Sequence, residues 1–162
     1  MKRRKHLKAC PLKGQARHTP YPPLYIVIPI EIVELESNSY HLITPFEING
    51  IQGEAIIDTG ASVTVIDNDL LAGNETETTG IQIQSGSVTG QIEDVKVIKI
   101  KEVKIGNHRF KNMLLAAIDL NYVKEMYNRH LERKIIALLG CDFCVKHCVV
   151  IDYQKKILIC RR

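Results

Sequence analysis

Two groups of residues in this sequence can do chemistry. The first is Asp58, in the stretch Ala55-Ile56-Ile57-Asp58-Thr59-Gly60-Ala61-Ser62. Three apolar residues lead into a carboxylate, and a Thr-Gly turn leads out. A carboxylate taken from water is costly unless it is paired or hydrogen-bonded. Asp58 is therefore either a turn residue on a wet loop or the centre of a built site. The second group is Cys141-Asp142-Phe143-Cys144-Val145-Lys146-His147-Cys148. Its thiols and imidazole are of the types that hold a metal ion. Zinc sites of the ribbon and finger kind take a second ligand pair at a distance. Here no second C-x-x-C exists, and the spacing is not that of C-x-x-C-H. The cluster reads as small apolar cysteines packed in a core, with no metal and no cofactor expected. The chain has five cysteines, so a fully paired intramolecular disulfide framework is excluded. Reduced thiols fit a cytoplasmic setting.

The elements that must position Asp58 are mostly strands. Residues 25–35 are β-branched and partly alternating, and read as one extended strand. Residues 40–48 form another. Asn49-Gly50 is a hairpin signal, returning into residues 53–57. A short strand over 62–66 follows the Asp-Thr-Gly turn, then a short helical turn over 67–73 and a polar loop over 74–79. Residues 81–110 read as a long hairpin with a small, flexible tip, Ser85-Gly86-Ser87-Val88-Thr89-Gly90. Gly106-Asn107 makes a further turn, and a strand resumes over 110–118. Val123, Met126, Tyr127 and Leu131 recur at helical spacing and predict one helix over 120–134, with Asp119 or Asn121 placed to cap it. A buried strand over 135–139 ends at Gly140, and residues 149–152 and 156–160 close the chain as a hairpin. The fold class is mainly β.

Composition places these elements in one domain. Of 162 residues, 45% are apolar and 25% charged, ordinary for a soluble globular chain long enough to bury a core. The net charge of +4 is uneven. Residues 1–23 hold seven basic residues and no acidic ones, which leaves 15 of the 22 basic residues against all 18 acidic ones. The body thus carries −3, and residues 1–23, with four prolines, read as a flexible basic tail on a single domain over 24–162. A solvated tail is favoured over a nucleic-acid arm. The start is charged like a signal peptide, but no apolar segment follows it. The longest apolar-rich stretch, residues 24–35, is interrupted by Pro29, Glu31 and Glu34 and is too short to span a bilayer. No membrane partner is expected.

Apolar-apolar-Asp-Thr-Gly-Ala-Ser before a β-branched run resembles the active-site loop of retropepsin-like aspartic proteases. The second part of that signature, two apolar residues and a glycine on a later strand, is met by Leu138-Leu139-Gly140. Cys141-Asp142-Phe143 then stands where the family begins a short helix. The Ser85–Gly90 tip stands where it keeps its flap. The resemblance covers about residues 40–160 and implies a closed β-barrel or sandwich lobe with a flap hairpin. The helix over 120–134 is an insertion relative to the smallest viral forms.

The resemblance gives each residue a role. Asp58 would act on a water molecule. One carboxylate cannot accept a proton from water and donate one to the leaving nitrogen at once. Two carboxylates about 3 Å apart cannot both ionise, so they share a proton and divide into acid and base. Thr59 would tie two such loops together. Gly60 would turn the backbone and aim its amide at the carboxylate. Gly140 would let the second strand pass close beneath the loop. Ser85, Gly86, Ser87 and Val88 would contact substrate from the flap. No other Asp is followed by Thr-Gly or Ser-Gly. The second carboxylate must then come from a second chain. The expectation is a symmetric homodimer cleaving peptide or protein substrates, with residues 25–35 and 156–160 as candidate interface strands. Two alternatives stand beside it: an inactive retropepsin-like peptide-binding or dimerisation module, and a metal or redox protein built on the cysteines.

Overall fold

The chain enters as a strand that changes sheets partway. The computed structural model describes residues 24–71, 77–78, 86–87, 90–91 and 96–161; the basic tail expected over 1–23 lies outside them. In β1 (Tyr25–Pro29) Ile26 and Ile28 point inward and alternate with exposed residues. β2 (Glu31–Glu36) then joins a different sheet. The single strand expected over 25–35 is thus two. Pro29, which has no N–H, ends the first on a sheet edge. Its carbonyl is met at the crossing by the Thr44 hydroxyl, 3.0 Å away.

Next come β3 (Ser39–Ile48) and β4 (Ile51–Ile57). Asn49 and Gly50 join them with φ of 51° and 78°, the left-handed pair that a two-residue hairpin of matching twist requires. After the Asp58 loop come β5 (Val65–Asp67) and a 3-10 turn, Asn68–Leu71. β5 begins later than the expected residue 62, because residues 59–63 are held by loop contacts instead of a ladder. β6 (Glu77–Thr78) falls where a polar loop was expected. The long hairpin is represented by β7 (Gly86–Ser87) pairing with β8 (Gly90–Gln91). Ser85, Val88 and Thr89 lie outside the described residues. β9 (Lys96–Ile105) and β10 (His108–Ile118) are the longest antiparallel pair. The chain then continues through α1 (Asn121–Leu131), β11 (Ile135–Leu139), α2 (Cys141–Lys146), β12 (Val150–Asp152) and β13 (Ile157–Arg161).

Six strands close into a barrel, in the order β3-β4-β11-β5-β10-β9 and back to β3. β3 is long enough to make the closure. It pairs with β2 over its first half, with β4 from Ile43 onward, and with β9 through Phe46, Glu47 and Ile48. The barrel is filled by Phe46, Ile48, Ile66, Ile98, Ile105, Leu115 and Leu139, each at most 2% exposed. β11 lies parallel to β4 and antiparallel to β5. It therefore runs between the strand that enters the Asp58 loop and the strand that leaves it.

α1 packs on the outside of this barrel. Tyr127 is its one fully buried residue, set against Val33, Ile43, Ile56 and Ile135, with Val123, Met126 and Leu131 beside it. Asp119 accepts the Asn121 N–H at 2.7 Å at its start. Glu132, in the left-handed conformation, ends it by donating its N–H to the Asn128 carbonyl. Two ion-pair groups fix its ends to the barrel. Lys124 bridges buried Asp67 and exposed Asp69 at 2.5 and 2.8 Å. Arg133 reaches Glu31 and Glu54, each at 2.6 Å. β1, β13 and β12 form a separate three-stranded sheet with β13 in the middle.

Candidate active site

Asp58 sits where β4 ends. Its N–H still belongs to the ladder, donating to the Leu139 carbonyl at 3.0 Å. Beyond that point the backbone curls around its own side chain. Gly60 N–H donates to Asp58 Oδ1 at 2.9 Å and Ala61 N–H reaches the same oxygen at 3.3 Å. Two backbone donors on one carboxylate oxygen fix the plane of the group. Gly60 contributes through closeness: a Cβ there would lie 3.1 Å from Asp58 Oδ1. Asp58 is half-buried, while Thr59 and Gly60 are exposed on the protomer surface.

The underside of the loop is held by the segment after β11. Gly140 passes so close that a Cβ would stand 2.5 Å from both the carbonyl carbon and oxygen of Val63. Only a residue without a side chain fits. The Cys141 N–H donates to the Ala61 carbonyl at 2.8 Å, and the Cys141 thiol donates to the Thr59 carbonyl at 2.9 Å. Thr64, fully buried, is the remaining tie. Its hydroxyl donates to Asp142 Oδ1 at 2.7 Å and accepts the Gly140 N–H at 3.1 Å. Asp142 Oδ1 also takes the Phe143 N–H, at 2.8 Å. The Asp-Thr-Gly loop and the Leu-Leu-Gly segment, about 80 residues apart in sequence, form one hydrogen-bonded unit.

Asp58 and Thr59 open onto a cleft of about 400 Å³. Most of its wall is apolar, from Leu42, Ile56, Val123, Met126 and Leu138, with Ile151 and Tyr153 of the terminal hairpin on one side. Tyr127 belongs to the same wall, and its buried hydroxyl has no hydrogen-bond partner among the described residues. Burial pushes the Tyr127 phenol up to about 12, and the negative charge of Asp58 adds to the effect. A second cavity, of about 420 Å³, lies by α1 among Asp67, Asp69, Lys124 and Arg133 and contains no residue of the Asp58 loop. Among the described residues no group of three or more His, Cys, Asp or Glu side chains is arranged to hold a metal ion.

The structure brings Asp58, Thr59, Gly60 and Gly140 together as one unit. Gly86 and Ser87 lie in the β7–β8 hairpin, and Ser85 and Val88 fall outside the described residues. Sequence reasoning missed Thr64, Asp142, Tyr127 and the loop contact of the Cys141 thiol. Thr64 carried a usable signal. A hydroxyl between Val63 and Val65 in a strand bound for the core needs a partner.

Residues 44–143 match the family model described as aspartyl protease. The chain belongs to the aspartyl protease family. The match takes in the Asp58 loop, Thr64, Gly140 and Asp142, and stops before the terminal hairpin. It agrees with the retropepsin-like resemblance of the sequence. Among solved structures, a retropepsin-like aspartic protease from Rickettsia conorii is 20% identical, over 84% of this chain and 89% of that one, with a TM-score of 0.47. The retroviral protease-like domain of Ddi1 from Leishmania major is 15% identical, over 73% and 86%, also at 0.47. No curated protein matches the sequence.

Proposed function

We propose that this aspartyl protease family member is an aspartic endopeptidase whose active site is completed by a second copy of the chain. The observation that supports this best is the seat of Asp58. Its Oδ1 is held by two backbone amides at the edge of a mainly apolar cleft. A turn residue in a wet loop has no need of a clamp such as Thr64–Asp142 beneath it. In this reading two Asp58 carboxylates face each other and share one proton. The ionised one takes a proton from water as the oxygen attacks the peptide carbonyl. The protonated one supplies its proton to the carbonyl oxygen. As the tetrahedral intermediate collapses, the departing nitrogen takes the proton drawn from water, and one hydroxyl returns a proton to the carboxylate that gave one up. Thr59, exposed on the protomer, would cross to the partner loop. Ser85, Gly86, Ser87 and Val88 would close over a peptide or protein substrate.

The assembly is a two-fold homodimer. β13 lies between β1 and β12 and has both edges occupied within the protomer, so the contact would fall to β1 and β12. No helix among the described residues is long and apolar enough to cross a membrane, and the free thiols of Cys141, Cys144, Cys148 and Cys160 favour the cytoplasm. The test is Asp58→Asn, which keeps the shape of the loop and removes the ionisable group. A peptide library cut by the wild type should be left intact by the variant. Cutting at the wild-type rate would overturn the assignment and favour a binding module.

A further inference from the structure

The Asp58 loop is tied to a pair of thiols. α2 begins with Cys141 and carries Cys144 one turn later, so both side chains lie on one face of the helix. Cys141 holds the loop twice, through its N–H on Ala61 and its thiol on Thr59. Cys144 is anchored the opposite way. Its side chain packs against the main core, and its carbonyl accepts the Val149 N–H at 2.9 Å. The hydrogen bond that closes the first turn between them, Cys144 N–H to the Gly140 carbonyl, is 3.3 Å and the weakest of this group.

We propose that Cys141 and Cys144 form a modification site, at which oxidation by a peroxide to an intramolecular disulfide releases the Asp58 loop. In the first step the Cys141 sulfur attacks a peroxide oxygen, giving a sulfenic acid and one water. In the second the Cys144 sulfur displaces the hydroxyl, which leaves as a second water with the thiol proton. Two thiols are oxidised by two electrons, and hydrogen peroxide is reduced to two waters. Cys141 is suited to react first, because burial, with Cys141 and Asp142 nearby, pushes the Cys144 thiol up.

Two consequences follow from the geometry. The disulfide has no S–H, so the Thr59 carbonyl loses its donor outright. Residues three apart on a helix keep their Cβ atoms about 5–6 Å apart, whereas a disulfide brings them to about 3.8 Å. One end must move. Cys144 is held by the core, so Cys141 moves, and its N–H is drawn from Ala61. Cys160, fully buried with its thiol pushed to about 12, is a poor competitor.

The disulfide itself does not depend on the protease reading; its effect on cleavage does. The full chain is treated with hydrogen peroxide, blocked with iodoacetamide and digested with trypsin. Peptide 135–146, which holds both cysteines, should lighten by two hydrogens and escape alkylation. Amide exchange over residues 59–64 should quicken severalfold in the oxidised protein, and dithiothreitol should reverse both changes. Cys144→Ser should form no disulfide in this peptide and show no reversible change in loop exchange. A bond from either thiol to Cys148, Cys160 or another chain would overturn the proposal. So would a 141–144 disulfide that leaves loop exchange unaltered. Cleavage should fall in step with oxidation. A reduced protein that never cleaves peptides contradicts the protease reading instead, and leaves the mass and exchange tests intact.

Discussion

The hydroxyl of Thr64 donates to Asp142 Oδ1 across 2.7 Å and accepts the Gly140 N–H at 3.1 Å, 76 to 78 residues away in the sequence. One buried side chain thereby joins the strand that leaves the Asp58 loop to the helix that supports it. Thr64→Val keeps the shape and removes the hydroxyl, which strands the buried Gly140 N–H and leaves Asp142 Oδ1 with the Phe143 N–H alone. The expected loss is about 1–3 kcal/mol. Thermal unfolding should report it as a lower Tm, with Thr64→Ser recovering most of the difference.

Gly140→Ala tests the close approach. The new methyl would lie 2.5 Å from the Val63 carbonyl group and 2.9 Å from Thr64 N, all backbone atoms. Backbone cannot swing aside as a flexible side chain can, so the loop itself must shift. We expect a loss of about 1–3 kcal/mol from overpacking and a larger proportional loss of peptide cleavage. Gly50→Ala is the control. No atom lies within 4 Å of its Cβ, and its φ of +78° alone makes alanine unfavourable, by about 1–2 kcal/mol. Gly50 is far from Asp58 along β4, so stability should fall while cleavage per folded molecule stays the same.

The sequence made the barrel legible where apolar residues repeat and turns carry their own chemistry. Asn49, Gly50 and Gly106 take left-handed backbone, and both the Asn49-Gly50 and Gly106-Asn107 turns form. The helix over Val123, Met126, Tyr127 and Leu131 was visible for the same reason. The sheet change at Ile30 was hidden, because both halves of residues 25–35 are β-branched and only the available partners differ. The Asp-Thr-Gly loop could be named from its residues, and so could the Gly140 that passes beneath it. The Thr64–Asp142 tie could not. A contact between residues so far apart depends on how the barrel closes, and local spacing holds no record of that.

Tyr127 is a buried group with little to gain from its polar atom. Tyr127→Phe removes a hydroxyl that has no partner among the described residues and keeps the ring, 5.6 Å from His41. Stability at neutral pH should be unchanged or higher. The alkaline side gives a second readout. The folded phenol titrates near 12, against an ordinary 10, because burial and then Asp58 disfavour the phenolate. Between these values the unfolded chain has released the proton and the folded chain has not, so raising the pH costs stability. That contribution is fully present below about 10 and is lost towards 12. The variant should lack this part of the loss, seen as a higher midpoint of alkaline unfolding.

The most direct measurement of the central claim is the activity of mixed dimers. Wild-type chains at fixed concentration are combined with increasing Asp58→Asn chains, and native mass spectrometry follows exchange of subunits. In the proposed assembly each mixed dimer would have one carboxylate and one amide at the two-fold axis and could not divide the roles of acid and base. Cleavage should fall as the mixed species replaces the wild-type dimer, towards zero in large excess of the variant. Cleavage that stays at its starting value while mixed dimers accumulate would contradict a site shared between two Asp58 residues.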